Sequence, residues 1–284
     1  MTPNFEIRGV DSHGHIDNIR YNVLKFPSGE VQVALDVHRP LDYKLLLIYG
    51  NVLSSDHVME LLQINSILQP AECKVHLTMP YCAYSRQDRH MLPGNDDAFA
   101  LKVFAQLINS CNFAKVTTWD NHSDVSTALI DNCTSVAVHD LFRSSRHKDN
   151  MLMDVERYNY FISPDAGANK KVFECSKRSH VPMIRADKTR DTATGHITGT
   201  EVYATPEKLN ATRVLIIDDI CAGGRTFTEL TEAIRAIAPD CTVDLYVTHG
   251  FFSKGIDCLI DAGISHVYTT NSVCTVKHSR LTLI

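Results

Sequence analysis

Short apolar runs that favour β-strands alternate with amphipathic segments of helical length along most of the chain, and this alternation limits the possible folds more than any other feature. Strands and helices in regular succession are typical of parallel sheets flanked by helices. The predicted strands are 44–49, 74–79, 114–118, 135–139, 158–163, 181–185, 213–218, 242–248 and 266–270. The predicted helices are 56–68, 96–110, 167–177, 226–237 and 254–262. The sequence therefore predicts an α/β fold.

A largely polar and charged segment, 142–157, separates two stretches that each read as a wound strand-helix-strand unit. A domain boundary is predicted in this segment, which divides the chain into domains 1–145 and 146–284. A second irregular tract, 187–205, is rich in Thr and poor in apolar residues. It predicts a mobile loop within the second domain.

Composition argues against several classes of protein. The chain has 28 Lys and Arg against 33 Asp and Glu, a formal charge of −5, which argues against nucleic acid as a partner. No apolar run approaches the roughly 20 residues that span a bilayer, and the first residues lack the pattern of a secretory signal. We therefore expect no membrane partner and a cytoplasmic location. The nine cysteines lack the paired spacings of zinc ribbons.

The strongest local pattern is the stretch 213–227, RVLIIDDICAGGRTF. Two carboxylates at the end of a buried strand can accept hydrogen bonds from vicinal sugar hydroxyls, and glycines allow backbone N–H groups to close around a phosphate at a helix N-terminus. The pattern predicts a ribose-phosphate site, and an ordinary strand-to-helix turn with solvated acids is the alternative. The residues assigned to this site are Asp218, Asp219, Ala222, Gly223, Gly224, Arg225 and Thr226.

This stretch resembles the phosphoribosyl-pyrophosphate loop of the type I phosphoribosyltransferases. Further stretches in matching order narrow the resemblance to the ribose-phosphate pyrophosphokinase family: FPSGE (26–30), MPYCAYSRQDR (79–89), TWDNH (118–122), SPDAG (163–167) and DKTR (187–190). Several motifs in order are more specific than any one of them. The resemblance implies two tandem type I phosphoribosyltransferase-like domains, each a mostly parallel sheet flanked by helices.

The resemblance also implies a role for each motif. Lys188 is implied as the catalytic lysine, with Arg190 as its partner on a flap. On physical grounds alone, two cations on one side of an extended segment can stabilise the charge of phosphoryl transfer or simply lie exposed. His122 and Asp165 are implied as residues of a sparse Mg²⁺ site, because this ion keeps several waters. The implied ATP-binding residues are Phe26, Ser28, Glu30, Arg86, Gln87 and Asp88.

The activity implied by the resemblance is a Mg-dependent transfer of the β,γ-diphosphoryl group of ATP to the anomeric hydroxyl of ribose 5-phosphate, which gives phosphoribosyl pyrophosphate and AMP. The family's oligomers imply a homo-oligomer, a dimer or a hexamer, in which a neighbouring subunit supplies part of the ATP site. Two other hypotheses use the same sugar loop. A type I phosphoribosyltransferase would consume the activated sugar but has no reason to carry the segment 86–89. A catalytically silent regulatory homologue would be expected to lose Lys188 or the metal residues.

The chain departs from the family pattern near the sugar site. The family usually has Asp-Thr-Gly-Gly-Thr where this chain has CAGGRT (221–226), so a carboxylate is lost and a cation is gained. Lys170 and Lys171 stand where apolar residues are usual. The added charge suggests ADP-ribose as an alternative acceptor, converted to its 1-diphosphate in NAD-related metabolism. Arg225 and Lys170 would then meet its second phosphate.

His13 and His15, in the stretch DSHGH (11–15), have the spacing of a metal-binding pair. They lie outside every motif of the family. The sequence does not show which further ligands would complete a site, so they are left out of the predicted metal residues.

Overall fold

The computed structural model describes residues 2–36, 43–69, 73–143, 154–190 and 197–284, and only the backbone of Arg143, Thr189, Arg190, Ile197 and Thr198 among them. The chain forms two compact units, Met1–Val136 and Ala137–Ile284. The predicted domain boundary between 145 and 146 lies outside the described residues. No helix in the described part of the chain has both the length and the apolar content that a membrane crossing requires.

The first unit contains a mixed sheet and a separate hairpin. Its strands are β1 (Glu6–Val10), β2 (Ile16–Ile19), β3 (Tyr21–Lys25), β4 (Val31–Leu35), β5 (Leu45–Tyr49), β6 (Lys74–Thr78), β7 (Lys115–Trp119) and β8 (Cys133–Val136). The six-stranded sheet has the order β2-β1-β5-β6-β7-β8, and β3 and β4 form the hairpin. β5 to β8 are parallel, whereas β1 is antiparallel to β2 and β5. The helices α1 (Ser55–Leu68), α2 (Ala100–Asn109) and α3 (Val125–Leu129) connect the parallel strands.

The core of the first unit is formed by strands that helices cover. Leu46 and Ile48 of β5 and Leu77 of β6 are buried, and they belong to one cluster with Ile64 of α1 and Phe104 of α2. Burial of each such side chain contributes about 1.5–3 kcal/mol to stability. This packing holds the carboxyl ends of β6 and β7 side by side, and the predicted ATP segment and the His-containing turn follow these ends.

The second unit is built on a seven-stranded sheet. Its strands are β9 (Tyr160–Ser163), β10 (Met183–Arg190), β11 (Ile197–Val202), β12 (Arg213–Cys221), β13 (Thr242–Gly250), β14 (Ile264–Thr269) and β15 (Leu281–Leu283). The order is β11-β10-β9-β12-β13-β14-β15, and β10/β11 is the antiparallel pair in a sheet that is otherwise parallel. The helices are α4 (Val138–Arg143), α5 (Asn169–Ser179), α6 (Pro206–Leu209), α7 (Arg225–Ile237) and α8 (Asp257–Asp261).

Strand β12 separates two hydrophobic cores. Ile216 belongs to the cluster that contains the apolar face of α7, whereas Ile217 belongs to the cluster that contains α5. Successive side chains of a strand point to opposite faces of the sheet. Asp218 and Asp219, which continue this strand, therefore start on opposite faces.

Besides elements that were not predicted, such as β1 to β4, two predicted stretches have a different structure. The tract 187–205, predicted as a mobile loop, contributes to a β-ribbon: β10 continues to Arg190, and β11 pairs with it so that Lys188 lies opposite Thr200. The Thr-rich composition favours an extended chain, and ladder pairing satisfies its backbone groups. The predicted strand 135–139 stops at Val136, and α4 begins at Val138.

Candidate functional site

Adjacent strands bring three predicted residues of the second unit to one edge of the sheet. β10, β9 and β12 are neighbours and run parallel. Lys188 lies on β10, Asp165 follows β9, and Asp219 lies near the end of β12. Ligands of open α/β sheets bind at the carboxyl ends of the strands. This edge is therefore the candidate site of the second unit.

Asp218 and Asp219 form a carboxylate pair beside one lysine. Asp219 is 4% exposed, and Lys171 Nζ of α5 lies 3.6 Å from Asp219 Oδ1. The Asp219 backbone N–H donates to Asp218 Oδ1 at 2.9 Å. Burial raises the pKa of Asp218 well above its ordinary value, the negative charge of Asp219 raises it further, and Lys171 opposes the shift. The pair can accept hydrogen bonds from sugar hydroxyls, and a protonated Asp218 can also donate one.

The loop from Ala222 to Gly224 turns directly into α7. Gly224 has a φ of +83°, and a Cβ atom at this position would lie 2.9 Å from Leu259 Cδ2, so no other residue fits without strain. A Cβ atom on Gly223 would lie 3.5 Å from Lys254 Cε, which places that side chain against the loop. The first backbone N–H groups of a helix lack intrahelical acceptors and attract anions. The loop therefore has the chemistry of a phosphate site.

Lys188 reaches from β10 to the start of α7. Its Nζ donates to Thr226 Oγ1 at 3.1 Å and lies 3.7 Å from Asp165 Oδ2. The ammonium thus lies between the turn after β9 and the helix N-terminus at which a phosphate would bind. The backbone of Arg190, its predicted partner, pairs with Ile197, and its side chain lies outside the described part of the chain.

Asp165 is placed so that it can ligate a hard cation. Its Oδ1 accepts the backbone N–H of Ala168 at 3.1 Å, whereas its Oδ2 faces Lys188. The side chain is 37% exposed, so a cation and its waters can approach Oδ2. A carboxylate oxygen together with water and phosphate oxygens is the ligand set that Mg²⁺ prefers. Asp165 therefore fits the predicted magnesium site.

In the first unit, the segment that follows β6 turns sharply and exposes two of the predicted ATP-binding side chains. Tyr84 has a φ of +61°, and its carbonyl accepts the backbone N–H of Gln87 at 2.8 Å. Trp119, the last residue of β7, donates its N–H to Pro80 O at 2.9 Å and ties the segment to the neighbouring strand. Arg86 and Gln87 are exposed. A guanidinium and an amide can bind phosphates and base edges.

Asp88 is buried and pairs with the next residue. It is 5% exposed, and its carboxylate accepts hydrogen bonds from Arg89 Nε at 2.8 Å and Nη2 at 3.2 Å. The hydrogen bonds from Arg89 lower the pKa of Asp88, although burial opposes the shift. The pairing fixes the direction of Arg89, whereas direct contact between Asp88 and ATP stays a prediction.

The turn after β7 carries Asp120 and His122. Asp120 is 5% exposed, adopts a φ of +40°, and donates its N–H to Val136 O at 2.8 Å. His122 is exposed. Between them, both polar atoms of the Asn121 side-chain amide are buried and have no hydrogen-bond partner in the described part of the chain. Asn121, which the sequence analysis did not single out, can therefore bind a ligand group at this edge.

The predicted nucleotide-contacting turn connects β3 and β4. The N–H of Phe26 donates to Glu30 O at 2.8 Å, and the Ser28 hydroxyl donates to the Glu30 carboxylate. All three side chains are exposed, and Phe26 is 40% exposed. An exposed aromatic ring at a hairpin tip can stack on a base or contact another chain.

Two lysines near the sugar loop were not among the predicted site residues. Lys171, which contacts Asp219, was noted in the sequence only as added charge. Its place in the first turn of α5, next to the SPDAG motif, is the signal that could have identified it. Lys254 has no such signal. It reaches the loop because β12 and β13 remain paired to Cys221 and Gly250 and because the N–H of Ser253 donates to Ala222 O at 2.9 Å.

Comparisons with known proteins agree with this architecture, although no family model matches the sequence. The chain is 29% identical over 205 residues to a ribose-phosphate pyrophosphokinase of Rhizobium meliloti, with 71% of this chain and 62% of that protein covered. It is 24% identical over 253 residues to one of Sulfurisphaera tokodaii, with 87% and 82% covered. The match to the first relative thus spans less than two thirds of its length.

A crystal structure of phosphoribosylpyrophosphate synthetase from Mycobacterium smegmatis has the same fold. The TM-score is 0.75 at 18% sequence identity, over 94% of this chain and 86% of that chain. Together with the two helix-flanked sheets, this likeness confirms the predicted fold of two tandem type I phosphoribosyltransferase-like domains.

Proposed function

Because the chain belongs to the ribose-phosphate pyrophosphokinase family, we propose that it transfers the β,γ-diphosphoryl group of ATP to the anomeric hydroxyl of ribose 5-phosphate. The products are phosphoribosyl pyrophosphate and AMP. The observation that supports this proposal most directly is the place of Lys188, between Thr226 and Asp165. An ammonium in this position stands beside both a phosphate-binding helix N-terminus and a carboxylate suited to Mg²⁺.

The acceptor sugar is assigned to the edge of β12. Asp218 and Asp219 accept hydrogen bonds from the vicinal ribose hydroxyls, and Lys171 offsets the charge of Asp219 so that the pair can remain close. The backbone N–H groups of the loop 222–226 bind the 5′-phosphate. This arrangement binds the two ends of a pentose phosphate by different chemistry and therefore orients it.

ATP is assigned to the exposed side chains of Arg86 and Gln87 and to the turn between β3 and β4. The planar guanidinium offers paired donors to phosphate or adenine. In this assignment Asp88 acts through Arg89, whose guanidinium it holds with two hydrogen bonds.

Mg²⁺ is the proposed metal, and Asp165 and His122 are the residues assigned to it. When bound, it would neutralise part of the negative charge of the ATP phosphates. Only a few protein ligands are needed because Mg²⁺ keeps water and takes substrate phosphates as ligands.

The protein's own contribution to the transfer is to position the two substrates and to supply positive charge. The anomeric oxygen attacks the β-phosphorus, the bond between that phosphorus and the oxygen of the α-phosphate breaks, AMP leaves, and the hydroxyl proton passes to water. Lys188 stabilises the negative charge that develops on the transferred group, and its contacts with Thr226 and Asp165 fix the ammonium before substrate binds.

The test is an incubation of the protein with Mg-ATP and ribose 5-phosphate, followed by ³¹P NMR of the products. We expect equal amounts of AMP and of a diphosphate attached to the sugar C1. Omission of the sugar phosphate should stop AMP release. Release of AMP at the same rate without an acceptor would indicate hydrolysis of ATP, and no release with any pentose-bearing acceptor would exclude the proposed activity.

ADP-ribose is a second candidate acceptor, and two cations next to the phosphate loop favour it. Arg225, the first residue of α7, has a side chain that is 78% exposed and forms an ion pair with Glu229, which a phosphate would replace. Lys254 lies against Gly223. They could pair with the second phosphate of a diphosphate ester. Parallel assays with the two acceptors distinguish the candidates. If ADP-ribose is the substrate, Arg225→Ala should lower kcat/KM for ADP-ribose at least about tenfold more than for ribose 5-phosphate.

A further inference from the structure

The turn between β1 and β2 brings together three side chains that the proposed reaction does not use. Asp11, His13 and His15 each offer one ligand atom, and these atoms all lie within 4.8 Å of one another. It is the one group of three or more such ligands among the residues that the structure describes. The structure supplies the third ligand that the His-x-His spacing alone does not identify.

The carboxylate of Asp11 is oriented by the turn itself. Its Oδ1 accepts the backbone N–H groups of His13 at 2.7 Å and His15 at 2.9 Å. The N–H of Asp11 donates to His15 O at 3.1 Å, which closes the turn, and the flanking strands pair from Val10 opposite Ile16. With Oδ1 engaged in this way, Oδ2 is directed toward the two imidazole rings.

The separations of these atoms suit a small divalent ion. Asp11 Oδ2 lies 3.0 Å from His15 Nδ1 and 3.9 Å from His13 Nδ1. Metal–ligand bonds of about 2.0–2.2 Å in a tetrahedral site place neighbouring ligands about 3.3–3.6 Å apart. The observed distances lie on either side of this value, so metal binding requires the two exposed rings to rotate, and His13 Nδ1 then gives up its 3.2 Å contact with the Ser12 hydroxyl.

We propose that Asp11, His13 and His15 bind a divalent transition-metal ion at the surface of the first unit. Two imidazoles and one carboxylate favour Zn²⁺, Co²⁺, Ni²⁺ or Cu²⁺ over the hard ions Mg²⁺ and Ca²⁺. The side chains of His13 and His15 are 77% and 79% exposed, so water completes the coordination shell. The metal replaces the hydrogen bond between His15 and Asp11 and fastens the hairpin turn. This site is separate from the residues assigned to Mg²⁺.

The competing explanation is an aspartate–histidine pair that stabilises the turn without metal. The two explanations are distinguished by adding Zn²⁺ alone to the full chain without a histidine tag. The proposal expects Zn²⁺ to bind at this turn, whereas the competing explanation expects no binding there. Isothermal titration should detect one Zn²⁺ per chain that is lost or weakened at least about tenfold in His13→Ala and in His15→Ala. Co²⁺ should give visible d–d absorption bands that the same variants lack.

His278→Ala is the matched control. His278 also faces one carboxylate, Asp257, at 3.4 Å, but it is not part of the three-ligand group. This variant should keep the Zn²⁺ affinity of the unchanged protein. Absence of Zn²⁺ binding, or equal affinity and stoichiometry in His13→Ala, His15→Ala and the unchanged protein, would overturn the proposal. Acceptor-dependent AMP release should be the same in all of these variants, so the outcome is independent of the proposed activity.

Discussion

At the scale of single residues, Lys188 contributes charge at a fixed place. Its ammonium contacts Thr226 Oγ1 at 3.1 Å and lies 3.7 Å from Asp165 Oδ2. Removal of a preorganised cation from phosphoryl transfer costs orders of magnitude in rate because the charge acts mainly in the transition state. We expect Lys188→Ala to lower kcat by about 10³-fold and to leave the Kd for ATP nearly unchanged.

Steady-state kinetics and ATP titration check this prediction. Lys177→Ala, which removes an exposed lysine at the end of α5, is the matched control and should keep the full rate. A normal kcat in Lys188→Ala would remove this lysine from the mechanism.

Asp218 is the residue for which function and stability conflict. Burial and the neighbouring Asp219 raise the pKa of Asp218, so the native state holds this proton more tightly than the unfolded chain does. As the pH rises above the ordinary aspartate value of 3.8, the unfolded state loses the proton first, and native stability falls. Asp218→Asn removes this loss and should also abolish the proposed activity.

Thermal unfolding at several pH values measures the effect. We expect the Tm of Asp218→Asn to exceed that of the unchanged protein by about 2–4 °C at pH 7, and the gain should shrink as the pH falls toward about 4. Asp261→Asn, at an exposed position of α8, should show no such gain. A gain that is independent of pH would indicate a cause other than ionisation.

At the scale of elements, the junction between β12 and α7 depends on Gly224. Its φ of +83° disfavours any side chain, and a Cβ atom would also approach Leu259 Cδ2 to 2.9 Å. Gly255 has a similar φ of +78° but nothing within 4 Å of the Cβ position. We expect Gly255→Ala to lower the free energy of unfolding by about 1 kcal/mol, and Gly224→Ala by at least about 2 kcal/mol. Chemical denaturation of both variants separates the steric cost from the conformational one, and equal losses would contradict the assignment.

The elements that the sequence predicts well are those with a strong apolar pattern, either a continuous run or a helical period. β12 and α7 are examples, because the strand is a continuous buried run and the helix presents one apolar face. β2 was missed because of its four residues only Ile19 is buried, which gives no alternation to detect. The length of β10 was missed because its outer half pairs with β11 rather than packing in a core, and pairing partners distant in sequence leave no local pattern.

The residues of the candidate site likewise fall into those that the sequence predicts and those that it misses. The acid pair was predicted from a compact motif at the end of a strand, whereas Asp165 and Lys188 were identified because their motifs resemble those of the family. Lys254 and Asn121 were not, since the first depends on the return of the chain after β13 and the second on the absence of a hydrogen-bond partner. Neither property can be read from neighbouring residues in the sequence.

At the scale of the whole molecule, the proposed roles are divided between the two compact units. The turn between β3 and β4 and the segment 79–90 belong to Met1–Val136, whereas Lys188 and the acid pair belong to Ala137–Ile284. The family resemblance implies a homo-oligomer in which a neighbouring subunit supplies part of the ATP site, and we propose that this part is the β3–β4 turn. If so, one complete site needs an intact turn from one chain and an intact second unit from another.

Co-expression of two inactive variants tests this arrangement. Phe26→Ala/Glu30→Ala disables the turn, and Lys188→Ala disables the second unit of the other chain. Random mixing should restore about a quarter of the unchanged protein's activity, because one site in four receives both intact parts. Co-expression of Lys188→Ala with Asp218→Asn should restore none, since both defects then fall in the same unit and no assembly separates them. Mixed oligomers confirmed by two affinity tags that recover no activity in the first pairing would show that each turn serves its own chain.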